Sequence, residues 1–432
     1  MKIGIAGAGI AGLTAAYRLS QAGHEVTLFE KENTLGGLAS SIDFAGTKID
    51  RIYRHIFKSD LHIVNLIDEL GLSEKMLWLE SKMGWFRDGK LYPFTTPLDI
   101  LSFKPLPFID RVKVGLMAVY LTKVNNWKKY EEITAKTWVE KYVGKKVYEV
   151  IWGALLEQKF GERAKEVAMT WLYGRIHSRI AGREKGGAKE VLGYMDGSYQ
   201  LLIDKMETEI VKNKGTIKRG VAVNKVIVEN SKATGFSTHE GEFKFDKVIV
   251  TAAPAILRKL VEFPKAYDAR FDKLNYYGAV VMLVRMKKQL TPYYWINMGV
   301  KDSPFVAMIE HTNFIDKKYY GGDRVLYLGK YLSTEDALYK MPNDELKKIF
   351  FDYLKKVAPA FDEKEVLEMH IYREPFSQPI VPLHFSKIKL DYQTPIENLY
   401  SANMSQIYPE DRGMSYSVML GNEVAKKINT SF

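Results

Sequence analysis

Lys2-Ile3-Gly4-Ile5-Ala6-Gly7-Ala8-Gly9-Ile10-Ala11-Gly12 opens the chain, and His24-Glu25-Val26-Thr27-Leu28-Phe29-Glu30 follows one helix length later. Lys2 to Ala6 reads as a short buried strand. Gly7, Gly9 and Gly12 then stand at G-x-G-x-x-G spacing. Ala16 and Leu19 share one face of the helical stretch, and Gly23 occupies a helix-terminating position. His24 to Phe29 reads as a second strand with Glu30 at its end. This is the order of a βαβ dinucleotide unit. Gly7 permits the tight turn, Gly9 lets backbone approach a pyrophosphate, and Gly12 lets helix and strand pack closely. The helix N-terminus supplies free N–H groups and a favourable dipole for the anion. Glu30, 18 residues beyond Gly12, can accept hydrogen bonds from ribose hydroxyls.

Glu30-Lys31-Glu32-Asn33-Thr34-Leu35-Gly36-Gly37-Leu38-Ala39-Ser40-Ser41 comes next. Paired glycines six residues past the acid suit a second close approach of backbone to cofactor, which a plain NAD domain does not need; a surface turn is the other reading. With Gly7, Gly9, Gly12, Ala16, Leu19, Gly23, Val26, Glu30, Gly36 and Gly37 in place, the sequence resembles the FAD-dependent flavin amine oxidase superfamily. That superfamily includes protoporphyrinogen oxidases and phytoene-desaturase-like enzymes, and UDP-galactopyranose mutase is a more distant relative. Many members flank the paired glycines with arginines, where this chain has Leu35 and Leu38.

The resemblance implies an α/β fold: a Rossmann-type FAD-binding domain of the glutathione-reductase-like kind, interleaved with a mixed-sheet plus helical substrate domain. The FAD-binding domain is expected to be discontinuous, from 1–90, 190–262 and 385–432. A helical insert is expected over 91–189 and the substrate domain over 263–384. The expected cofactor-binding residues are Gly7, Gly9, Ile10, Ala11, Gly12, Glu30, Lys31, Gly36, Gly37, Leu38, Ala39, Val223 (by its backbone), Asn403, Gly413, Met414 and Ser415. In the family the last helix, opened here by Gly413-Met414-Ser415, aims its N-terminus at the flavin pyrimidine. Asn403 stands where a glycine is usual.

Arg51-Ile52-Tyr53-Arg54-His55 places a cationic, polar cluster directly after the expected flavin approach. His55 and Arg54 are the candidate catalytic residues; a loop histidine satisfied by backbone is the alternative for His55. Trp85-Phe86-Arg87-Asp88-Gly89-Lys90-Leu91-Tyr92 reads as a hairpin turning at Asp88-Gly89. Asp110 to Val124 reads as a strongly apolar helix, either buried in the domain or facing a membrane, and Lys104, Arg111, Lys113, Lys123, Lys128 and Lys129 flank it. Arg175, Arg179 and Arg183 recur at i, i+4, i+8 on one helix face, with a solvated face the favoured reading and an anion site the other. Residues 263–384 read as alternating strands with one helix. Their aromatic side chains, among them Tyr277, Tyr294, Trp295 and Tyr327, suit either a substrate wall or sheet packing.

The chain has 432 residues, 46% apolar and 27% charged, which argues against extended disorder, collagen or coiled coil. It contains no cysteine, so disulfides, thiol nucleophiles, Cys-ligated metal and a cysteinyl flavin link are excluded. FAD is expected to be held non-covalently, and no metal site is expected. Lys and Arg number 63 against 52 Asp and Glu, a net charge of +11, without a compact basic tail or aromatic RNA-binding motif; no nucleic-acid partner is expected. The longest uncharged run, Ile3 to Tyr17, is too short to span a bilayer. A cytoplasmic location is expected, with peripheral membrane contact through 104–129 kept open; the oligomeric state is not read. The leading function is an FAD-dependent oxidoreductase taking a hydride from a C–N or C–C bond of an apolar, amine or polycyclic substrate. The alternative is a flavin-dependent sugar-nucleotide mutase, in which basic residues hold a diphosphate.

Overall fold

In the computed structural model, residues 1–124, 126–181 and 189–430 are described. Gly12 sits so close to the turn before it that a Cβ there would lie 1.9 Å from the Gly7 carbonyl oxygen. That contact sets the helix Ile10–Gln21 tightly against the strand Lys2–Ala6. The strand is central in a five-stranded parallel sheet ordered Thr216–Arg219, Glu25–Glu30, Lys2–Ala6, Lys247–Val250, Leu399–Ser401.

Both faces of this sheet are covered, so its three central strands are buried over nearly their whole length, while the edge strand Thr216–Arg219 is not. On one face the helix Ile10–Gln21 packs between the helices Gln200–Lys212 and Met414–Asn429. On the other, the antiparallel meander Val223–Glu229, Lys232–Thr238, Gly241–Lys244 brings down Phe236, Phe243 and Phe245. Phe29 meets Phe236 edge-on at 5.8 Å. Gly4 lies beneath the same rings, where a Cβ would come within 2.4 Å of Phe245.

The second sheet has seven strands, ordered Val366–Pro379, Tyr276–Met286, Arg324–Leu332, Ala307–Glu310, Trp295–Met298, Met83–Arg87, Lys90–Pro93. Its last two form the expected hairpin about Asp88-Gly89. One face packs on the helix Asn343–Val357 through Leu346, Phe350 and Leu354. Two shorter helices, Lys265–Phe271 and Ala337–Lys340, join it within 263–384, where the sequence reading gave one helix. Short apolar-poor turns of this kind carry little periodic signal.

Against the second sheet packs a helical group from Pro97 to Ala181 with its own core, including Trp138, Leu156, Phe160 and Trp171. The apolar segment forms the helix Phe108–Lys123. Val114, Met117 and Leu121 face that core, while Phe108, Ile109, Leu116 and Val119 are more than half exposed. It is therefore neither a fully buried helix nor a polar-faced surface one. Among the described residues no helix is long and apolar enough to cross a membrane.

Candidate active site

The glycine-rich turn presents an open cradle. Gly9 caps the helix Ile10–Gln21 in an extended conformation, and a Cβ on it would meet nothing within 4 Å. The first-turn N–H groups of the helix have no intrahelical acceptor and point toward that space. The paired glycines close the cradle from the side: Gly36 donates its N–H to the Ala8 carbonyl at 2.8 Å. Gly36 has φ +105°, and a Cβ on Gly37 would lie 3.2 Å from the Gly9 Cα. The surface-turn reading of this pair therefore gives way to a backbone-on-backbone contact at the helix N-terminus.

Glu30 is buried at the end of its strand. Its carboxylate accepts from the Ala8 N–H at 2.8 Å and the Glu32 N–H at 3.0 Å, which leaves lone pairs for a hydroxyl. Lys31 is exposed and pairs with Glu32 at 3.4 Å. Val223 begins the first strand of the meander, just after Val221 donates to the Glu30 carbonyl at 2.9 Å. Ser40 Oγ, Arg51 Nε and Asn403 Nδ2 are buried polar atoms without a protein partner. Unpartnered buried donors are costly, so such a set beside an open cradle fits a polar bound group. Asn403 also shapes its own loop. Its Oδ1 accepts from the Ser405 N–H at 3.1 Å and the Ser405 hydroxyl at 2.6 Å, capping the turn Met404–Gln406. The side chain, where a glycine is usual, builds the loop rather than disturbing it.

Leu38, directly after the paired glycines, lines a cavity of about 240 Å³. Leu38, Gly413 and Met414 form one side of it, and Ile52, Tyr53, Arg54 and His55 a second. The sheet contributes Ala279, Val281, Tyr294, Trp295, Lys330 and Tyr331, and the helical group contributes Lys159, Arg175 and Arg179. Both candidate catalytic residues thus reach the cavity. Ser415 does not: it is buried, and its Oγ accepts from the Ile63 N–H at 3.4 Å.

His55 is held among rings. Its Nδ1 lies 3.1 Å from the Tyr294 hydroxyl, and Phe57 and Trp295 pack edge-on to it at 5.3 and 5.7 Å. Burial lowers its pKa to about 4, so the imidazole is neutral at physiological pH. Arg54 donates Nε to the Ile52 carbonyl at 3.2 Å and a terminal nitrogen to the Leu38 carbonyl, and lies 3.6 Å from Asp50. It therefore stiffens the backbone between Leu38 and Ile52.

The arginine face of the helix Met169–Ala181 corrects an expectation. Arg175 and Arg179 do not form a solvated face but line the cavity; Arg183 lies outside the described residues. Arg179 binds Glu190 through Nε at 2.7 Å and a terminal nitrogen at 3.0 Å. Arg175 reaches Asp411 at 3.1 Å, beside Lys159 at 2.8 Å and the Trp171 indole N–H at 2.9 Å. Burial opposes ionisation of Asp411, but Lys159, Arg175 and Arg412 outweigh it and hold the carboxyl well below its ordinary range. Burial lowers Lys159 to about 7 despite Asp411, and Lys330 to about 8.

Sequence reading missed Lys159, Lys330, Asp411 and Arg412. Only the last two carried a local signal, a charged pair immediately before the Gly413 that caps the last helix.

A family model described as flavin containing amine oxidoreductase matches residues 10–408. The chain is 23% identical over 457 residues to the 15-cis-phytoene desaturase, chloroplastic/chromoplastic, of Arabidopsis thaliana, covering 93% of this chain and 75% of that protein. A solved oxidoreductase from Methanosarcina mazei is 20% identical and superposes with a TM-score of 0.77, covering 99% of this chain and 100% of that one. A reduced UDP-galactopyranose mutase is 19% identical with a TM-score of 0.77, covering 99% and 95%. These two structures share the fold of this chain.

Proposed function

The chain belongs to the flavin-containing amine oxidoreductase family, and from that premise we propose that the cradle and the cavity divide FAD binding and substrate oxidation between them. The protein is an FAD-dependent oxidoreductase acting on a small molecule. The observation that carries the division is that Leu38, next in the chain after the cradle's Gly37, lines a cavity whose wall also includes Gly413 and Met414 at the N-terminus of the last helix.

In this reading the amides of Ile10, Ala11 and Gly12 hold the pyrophosphate, with Gly9 and Gly37 giving it room. Glu30 holds ribose hydroxyls, aided by the segment at Lys31, and the Val223 backbone borders the adenine. Ser40 Oγ, Arg51 Nε and Asn403 Nδ2 supply donors along the linker. Gly413 and Met414 set the positive end of the last helix against the flavin pyrimidine. The discontinuous FAD-binding domain (1–90, 190–262, 385–432), the insert (91–189) and the substrate domain (263–384) follow from the same assignment. The lack of cysteine removes a thioether link, and a cradle built of backbone supports non-covalent attachment. When bound, FAD accepts the two electrons of a substrate C–H bond as hydride. Neutral His55, with Nδ1 engaged by Tyr294, offers Nε2 to the substrate or ring edge. Arg54 fixes the carbonyls that frame that edge. Ala279, Val281, Tyr294 and Trp295 exclude water from the reacting face.

The decisive experiment is the visible spectrum of the purified protein, followed by acid release and mass identification of the pigment. Released FAD at near one equivalent is expected. A colourless protein that takes up no FAD on titration refutes the assignment. The mutase reading has less support; turnover of UDP-galactopyranose without net electron transfer would bring it forward.

The half-exposed helix Phe108–Lys123 supports peripheral contact with an anionic lipid surface. Its outward Phe108, Ile109, Leu116 and Val119 stand within a segment carrying Lys104, Lys123 and Lys128. Flotation with vesicles containing phosphatidylglycerol tests it, and absence of binding at low salt removes it.

A further inference from the structure

Among the described residues, the cavity wall carries more positive charge than the surrounding acids answer. Glu190 engages Arg179, and Asp50 lies 3.6 Å from Arg54. Of the other four lining cations, Lys159, Arg175 and Arg412 share one lining carboxylate, Asp411, and Lys330 stands apart from it. Lys159 and Arg175 contact it directly, at 2.8 and 3.1 Å. Arg412 instead directs its guanidinium to Gln378 Oε1 at 3.3 Å and to the Tyr331 hydroxyl. Lys330 donates to the Ser303 carbonyl at 2.8 Å and to Gln158, with only the exposed Asp336 acting on it from outside. The remaining lining acid, Asp60, is turned to the Phe57 N–H at 2.8 Å. Neutral acceptors and the faces of Trp171 and Tyr331, 4.7 and 5.8 Å from Lys159 Nζ, solvate these cations without cancelling them. Excess charge in such a space is costly unless an anion completes it.

The FAD pyrophosphate is not that anion in the assignment above, because Gly7, Gly9, Gly12 and Glu30 do not line this cavity. The four cations come from the helices Gly153–Phe160 and Met169–Ala181, the strand Arg324–Leu332 and the segment before the last helix. The neighbouring wall, Met83, Leu192, Ala279, Val281 and Trp295, is apolar.

We propose that Lys159, Arg175, Lys330 and Arg412 form a subsite for an acid group of the substrate, a carboxylate or a phosphate monoester attached to an apolar reacting body. This rests on the flavoenzyme reading and narrows it: a protonated amine is repelled, and an anion is selected. Benzoate, phenyl phosphate and benzylammonium share one apolar body and differ in charge. Titrated into the FAD-loaded enzyme, benzoate or phenyl phosphate should perturb the visible flavin bands, and the tighter of the two names the acid group. Benzylammonium should bind at least about tenfold more weakly than the better acid. Arg175→Gln and Lys330→Met should each weaken that acid by about tenfold or more. Lys330→Met leaves the Lys159–Asp411–Arg175 contacts intact, so it reads the subsite even where Arg175→Gln does not fold.

The proposal is overturned if benzylammonium binds as tightly as the acids. It is equally overturned if Lys330→Met and folded Arg175→Gln leave acid affinity unchanged and shift only the flavin reduction potential, for the cations then serve the cofactor alone. Calorimetric titration of the same probes runs without a flavin signal. A colourless preparation that still binds the acids therefore fails the cofactor reading and not this one.

Discussion

Replacing Gly9 by alanine separates the cost of binding from the cost of folding. Gly9 has φ −70° and ψ 175°, extended backbone open to any residue, and its Cβ direction is empty for 4 Å. Gly9→Ala should leave the apoprotein as stable as the parent. The added methyl fills the space over the helix N-terminus where a phosphate oxygen would sit against backbone N–H groups. Losing one such charge-assisted hydrogen bond costs about 1.5–3 kcal/mol, which is about a tenfold to hundredfold loss in FAD affinity. Gly12→Ala is the contrasting change. Its Cβ would lie 1.9 Å from the Gly7 carbonyl oxygen and 3.1 Å from Thr251 Oγ1, so the helix must move off the sheet. Overpacking of that kind costs about 1–3 kcal/mol, roughly 1–3 °C of melting temperature for a chain this long. The assay is thermal melting of both apoproteins together with an FAD titration followed by fluorescence quenching. The reasoning is refuted if Gly9→Ala binds FAD as tightly as the parent. It is refuted also if Gly9→Ala melts below Gly12→Ala without cofactor.

Asp411→Asn leaves Lys159 and Arg175 without their shared carboxylate and should cost about 3–5 kcal/mol, seen as a melting point lower by several degrees. Because the folded pKa of Asp411 is depressed, its contribution is complete above the ordinary value of 3.8 and is lost only as the pH falls through the lower folded value; an equal melting point for the variant at pH 7 contradicts this. Benzoate affinity should fall by about tenfold between pH 6 and 9, as Lys159, facing Asp411, Arg175 and Arg412, and then Lys330, facing Asp336, lose their protons near 7 and 8. A flat profile measured by calorimetry would remove these lysines from the subsite. Phe108→Glu with Leu116→Glu should abolish flotation with anionic vesicles and leave the melting temperature unchanged, since both side chains are about two-thirds exposed; retained flotation would locate the contact elsewhere.

The glycine cradle was legible in the sequence because its constraints are local. Gly7, Gly9 and Gly12 answer a turn, an approach and a packing contact within six residues, and Glu30 ends the very next strand. Gly36 and Gly37 were readable as a close-approach pair for the same reason, and the approach seen is of their backbone to Ala8 and Gly9. The cavity was legible only in part. The spacing of Arg175 and Arg179 says that they share a helix face; it does not say which way the face turns. That depends on Trp171 and Leu172 being drawn into the helical core, which swings the arginines toward Asp411 and Glu190. Lys159, Lys330 and Asp411 lie far apart in sequence, on a helix, a strand and a loop, and a lone charged residue has no period to read. The apolar helix shows the same limit from the other side. Its run of hydrophobic residues encodes burial, yet the core behind it takes only Val114, Met117 and Leu121, and the remaining apolar side chains face outward. Local glycine chemistry therefore marks a dinucleotide unit, while the charge that would choose the substrate arises only when the insert closes over the second sheet. For this chain the substrate question is a question about packing, and Lys330→Met, which alters charge without disturbing the Asp411 contacts, is the change that isolates it.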